Sequence, residues 1–277
     1  MSDSQLSVGA ALGYAWSLWR SHWREIWGAF ALNALACTVL CAGLFAQNWL
    51  LIAAAGVGLL FTMYSVYGAM VRLAFAAEHP DDPEFRLGVL GLQWRKMELR
   101  MLGAHVLLII FLLILALLLA IALAAPLMGV IMAKGVPITA ASTPADLPRL
   151  LGPAGTQALN LGTIALQMAL TFVAIRLSLY LVATGASRKV AVLRTWKLTR
   201  GHFWQIFAAT LIIGLPTVLI MSVGVGAGLS LDGRPAPLAP GETFLYSLIC
   251  GGWAGAAAMP LAAGVQAYFY RNLKTAD

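Results

Sequence analysis

Four histidines, one acidic turn and two arginines inside apolar runs are the residues whose types and spacing bear on chemistry. The histidines are His22, His79, His105 and His202. His79 lies in EHPDDPEFR (Glu78–Arg86), where Asp81, Asp82 and Glu84 offer oxygens to a hard cation; a solvated turn fits the same composition. His105 is isolated in an apolar run and reads as a packed or hydrogen-bonded side chain. His22 and His202 each follow an arginine by two residues, which favours anchoring at an interface over proton transfer. The sequence has no nucleophile elbow, phosphate loop or HExxH. No catalytic residue and no cofactor are therefore assigned. Cys37, Cys41 and Cys250 form no CxxC and no zinc-spaced cluster, so they read as small buried hydrophobes and no metal site is assigned.

Arg72 and Arg176 pose a different question. An arginine within a membrane span costs about 2.5–3.5 kcal/mol on insertion scales, so it faces protein or water and has a partner. Two readings are open. One is an internal brace to carbonyls or hydroxyls such as Ser178, with snorkelling available to Arg72. The other is a cytoplasm-facing pocket for an anion such as a lipid phosphate.

A third group combines cations with aromatics. RTWKLTRGHFWQIF (Arg194–Phe207) has a counterpart in AWSLWRSHWREIWGA (Ala15–Ala29), displaced by 180 residues. Trp16/Trp196, Leu18/Leu198, Arg20/Arg200, His22/His202, Ile26/Ile206 and Ala29/Ala209 are identical across the displacement. Trp16, Trp19, Trp23, Ile26 and Trp27 fall on one helical face, while Arg20 and Arg24 fall on another. Such a helix lies in the bilayer interface, with indoles at headgroup depth and arginines toward phosphates. A topological mooring and a specific anionic-lipid site both fit. Their candidate contacts are Trp16, Arg20, His22, Trp196, Lys197, Arg200 and His202, together with Arg72 and Arg176. Nucleic acid is excluded as a partner, because lipid accounts better for the aromatic faces.

Apolar helices must position these groups. Of 277 residues, 61% are hydrophobic and 10% charged, against about 25% charged in soluble domains. The mean hydropathy is +0.84. Six runs reach the roughly 20 apolar residues that a span requires: Ile26–Ala46, Leu50–Ala76, Met101–Ala125, Leu159–Thr184, Trp204–Leu229 and Phe244–Tyr270. Kinks are expected at Pro216 and Pro260. Fifteen of the 18 Lys and Arg residues fall on one side of these spans, which puts both termini in the cytoplasm. Lys134, Arg149 and Arg234 fall on the other side, in the loops 134–157 and 230–242. No cleavable leader is evident in the first residues.

The expected fold is an all-α six-span transmembrane bundle with cytoplasmic interfacial amphipathic helices. Phe85–Gly103 offers a weaker third Trp/basic segment, so the chain divides into three hairpin units, about 6–77, 84–184 and 187–273. Runs such as Gly224-x-Gly226-x-Gly228 and Gly251–Pro260 permit close helix packing, self-association or a membrane-protein partner. The midplane offers Asn33, Gln167 and Thr171 but no acid suited to ion coupling, so a transporter or flippase-like protein for an anionic molecule is the second reading, behind lipid binding or organisation.

Residues Arg176–Phe207 resemble the signature of the membrane domain attached to some glycerophosphoryl diester phosphodiesterases and of related bacterial multi-spanning proteins. Trp196, Leu198, Thr199, Arg200, Gly201 and Trp204 carry the match, and MPLAAGVQAYFYRNL (Met259–Leu273) is similar to that family's last span. Many relatives have a Pro and then a Glu after the intramembrane Arg; this chain has no acid there. The phosphodiesterase is a separate barrel that needs about 250 residues, and the chain has no room for it. The resemblance implies a membrane domain and does not imply lipid-ester hydrolysis. The repeated Trp/Arg segment and the two intramembrane arginines make the leading expectation a non-enzymatic module of a bacterial inner membrane, with membrane phospholipids as partners.

Overall fold

The computed structural model describes residues 6–133, 147–227 and 240–274. Most of the two expected external loops, with Lys134, Arg234 and Gly228, lies outside the described residues, as does the side chain of Arg149. The described residues are helical, with no strand among them. The helices are α1 (Val8–Phe45), α2 (Trp49–Phe75), α3 (Lys96–Ala133), α4 (Leu147–Leu177), α5 (Tyr180–Ser187), α6 (Arg194–Leu198), α7 (Phe203–Ala227), α8 (Pro240–Trp253) and α9 (Met259–Lys274). Six helical stretches are long and apolar enough to cross a bilayer. The protein is therefore an integral, multi-pass membrane protein.

The chain forms two compact units. The first contains Met1–His105 and Leu177–Asp277, and the second Val106–Arg176. In the second, the outer part of α3 faces most of α4 across a groove of about 610 Å³ lined by residues such as Leu113, Leu166 and Leu170. In the first, α1 packs on α2, α8 and α9.

Close approach of α1 to α8 and to the segment Ala254–Ala258 that follows it depends on missing side chains. A Cβ at Gly251 would fall onto the backbone of Thr38, and one at Gly255 onto that of Ala34. The tight α1–α2 turn places Gln47 at φ 50°. Asn48 then caps α2 by accepting from the Leu50 and Leu51 N–H groups.

The two prolines behave differently. α7 stays helical through Pro216. Before Pro260 the chain makes a π-helical segment, Ala254–Ala258, in which the Met259 N–H donates to Ala254 O. That register leaves the Gly255 and Ala256 carbonyls without their usual donors, because Pro260 has no N–H. Two α1 side chains take their place. Asn33 Nδ2 donates to Gly255 O at 3.0 Å, and Trp19 Nε1 donates to Ala256 O at 3.2 Å.

Several sequence expectations need correction. Ala15–Ala29 is not a separate interfacial helix; it is continuous with the first span in the 38-residue α1. Residues 153–157, expected in a loop, are helical in α4, which breaks at Gly152 (φ 72°). The fourth span is interrupted between Leu177 and Tyr180.

Candidate functional site

Within the first unit, one end gathers most of the charge. Arg72, in the last turn of α2, and Glu98, in the first turn of α3, are both fully buried. Arg72 Nη1 donates to Glu98 Oε1 at 2.5 Å, and Nη2 to Oε2 at 3.1 Å. Arg72 Nε donates to the Glu84 carbonyl at 2.8 Å. Glu98 Oε2 also accepts the Arg95 N–H at 2.9 Å, the return half of a capping box at the start of α3. Gly68 makes room for the pair, since a Cβ there would strike Glu98 Oε1. Bidentate geometry with further hydrogen bonds is the arrangement in which a buried pair offsets its desolvation.

This corrects the reading of Arg72 as an open anion contact: its guanidinium is a closed brace. Its partner Glu98 has no role in the sequence reading, although WRKMELR (Trp94–Arg100) holds an acid among three cations just before a span. The motif EHPDDPEFR also changes meaning. Its carboxylates hold neighbouring cations: Glu84 pairs with Arg100 at 3.0 Å, Asp82 with Arg188, and Glu78 with Arg271 at 2.9 Å. Arg188 also lies over the Phe85 ring, 5.6 Å from its centroid. These contacts tie the α2–α3 connection to α5 and α9. No group of three metal-ligating side chains occurs among the described residues.

The two Trp/Arg segments both contact α9. Tyr14, just before the first segment, lies against Tyr268 with ring centroids 5.7 Å apart and planes tilted by 46°, Gly264 sits against Ala15, and α6 contacts α9. Burial agrees at corresponding positions: Ala15 and Thr195, Leu18 and Leu198, Ile26 and Ile206, and Ala29 and Ala209 are all buried. Trp16, Arg20, Trp196, Lys197 and Arg200 are exposed. Backbone geometry differs for an identifiable reason. Gly201 has φ 83°, a conformation that breaks the chain between α6 and α7. Its counterpart is Ser21, which stays helical and donates to the Ser17 carbonyl. Arg24 lies 5.7 Å from the centroid of the Trp23 ring. His22 Nδ1 is 2.7 Å from Ser21 Oγ, and His202 Nδ1 is buried without a hydrogen bond.

Arg176 is buried at the end of α4, in the second unit. His105 accords with its expected role, with Nδ1 2.5 Å from Tyr180 Oη. All three cysteines are free and buried. No family model matches the chain, and comparisons with curated proteins and with solved structures return no match.

Proposed function

We propose that this protein is a non-enzymatic membrane component that binds or organises anionic phospholipid at the cytoplasmic face of a bacterial inner membrane, with both termini cytoplasmic. One observation carries the reading. Among the cations of the first unit, two groups differ. Arg72, Arg100, Arg188 and Arg271 are each neutralised by an acid. Arg20, Arg24, Lys197 and Arg200 are exposed and form no ion pair among the described residues. These outward cations are interleaved with large exposed indoles, Trp16, Trp23 and Trp27 in α1 and Trp196 and Trp204 around the α6–α7 turn. Indoles favour the headgroup region and arginines the phosphates. The resemblance to a membrane domain found beside lipid-derived phosphodiester hydrolysis points the same way, as does the internal correspondence of the two segments.

A basic residue near an anionic surface contributes about 1 kcal/mol. Replacing Arg20 and Arg200 together with alanine should therefore weaken anionic-lipid binding by about 30-fold. The measurement is native mass spectrometry of the detergent-extracted protein with added phosphatidylglycerol, beside phosphatidylcholine as the zwitterionic control. Unchanged phosphatidylglycerol binding by R20A/R200A would refute the reading.

A further inference from the structure

We propose that the groove between α7 and α9 seats one acyl chain of an anionic phospholipid whose phosphate is met by Lys197 and Arg200. The inference rests on the anionic-lipid reading above and gives it a place and a stoichiometry. The groove encloses about 400 Å³, with walls that include Ile206, Ile213 and Val218 of α7 and Val265 and Phe269 of α9. Ile206 to Val218 spans about 18 Å of helix, more than half of the roughly 30 Å hydrocarbon core. The Thr210 hydroxyl on its wall is turned back to the Ile206 carbonyl at 2.8 Å, leaving mainly hydrocarbon for an occupant. Gly214 lines the groove, and a Cβ there would meet nothing within 4 Å, so a larger side chain has room to enter it.

What lies at one end of the groove identifies the occupant. Ile206 is one turn beyond the Gly201 break, so the chain leaves the groove directly into the exposed Arg200 and Lys197. Trp204, 72% exposed, stands at the first turn of α7. Cation, indole and apolar channel therefore follow one another in the order of a phospholipid's phosphate, interfacial region and chain. A neutral lipid would use the channel and leave both cations unmatched. The Ala15–Ala29 segment runs unbroken into its span, so the proposed seat belongs to the second segment.

The test uses the full chain in mild detergent, with phosphatidylglycerol and phosphatidylcholine as probes in native mass spectrometry. Gly214→Phe places a ring in the groove; Gly58→Phe, at another position where a Cβ meets nothing within 4 Å, is the control. The one-phosphatidylglycerol complex should fall about tenfold in G214F and stay at the wild-type level in G58F. Gly214→Leu gives the same comparison with a smaller side chain if G214F fails to fold. K197A/R200A should abolish the preference for phosphatidylglycerol over phosphatidylcholine. Full retention in folded G214F or G214L overturns the groove assignment, and an intact preference in K197A/R200A overturns the phosphate assignment. The anionic-lipid reading is decided separately by R20A/R200A.

Discussion

Replacing Glu98 with glutamine should destabilise the first unit more than any change to an exposed charge. Glu98 accepts from Arg72 Nη1 at 2.5 Å, Arg72 Nη2 at 3.1 Å and the Arg95 N–H at 2.9 Å. The amide keeps one acceptor oxygen and presents an NH2 group where one of these donors points. It also leaves the guanidinium of Arg72, at 0% exposure, without its counter-ion. Removing one partner of a buried pair costs about 3–5 kcal/mol. At about 1.4 kcal/mol per decade, the folded-to-unfolded ratio should fall by roughly two to three and a half decades. The double change Arg72→Met with Glu98→Leu removes both charges, and much of the loss should return. Equilibrium unfolding of the full-length protein in mixed micelles titrated with sodium dodecyl sulfate, followed by circular dichroism, measures each term. A loss below about 1 kcal/mol in E98Q, or a double variant less stable than both single variants, would refute the brace.

Two further outcomes test the packing around α1 in the same unfolding assay. Trp19→Phe leaves the Ala256 carbonyl without a donor and should cost about 1–3 kcal/mol; with Pro260→Ala, which restores a backbone N–H, the loss should be smaller, and a strictly additive pair would contradict the assigned role of Trp19. Gly251→Ala drives a methyl into the Thr38 backbone, whereas Gly252→Ala meets nothing within 4 Å; the first should lose more than about 1 kcal/mol and the second stay within about 0.5 kcal/mol.

Much of the fold was legible because hydropathy is a local property. Six long apolar runs need no partner to be recognised, and their expected ends differ from the helix ends mainly where polar or aromatic residues extend a helix beyond the hydrocarbon. The clearest case is α1, which begins at Val8 rather than Ile26. Ser21 permits that extension, while Gly201 at the corresponding position ends it. This difference is written in the sequence, but it acquires meaning only once φ is known. The face read by helical spacing for Trp16, Trp19, Trp23, Ile26 and Trp27 does not stay together, because Ile26 is buried while Trp16, Trp23 and Trp27 are exposed like Arg20 and Arg24.

Tertiary structure decided which polar groups are spent inside the protein. Arg72 and Glu98 are 26 residues apart, and nothing in their spacing pairs them. Only the packing of α2 on the start of α3, with Gly68 leaving space between, brings the charges together and removes Arg72 from the groups facing outward. Likewise, Asn33 and Trp19 meet carbonyls more than 200 residues away, at a backbone irregularity that Pro260 helps to create. Composition determined that the chain enters the membrane and which end is cationic. Which of those cations remain outside ion pairs depends on long-range pairing, because a buried charge must be matched wherever the fold places its partner.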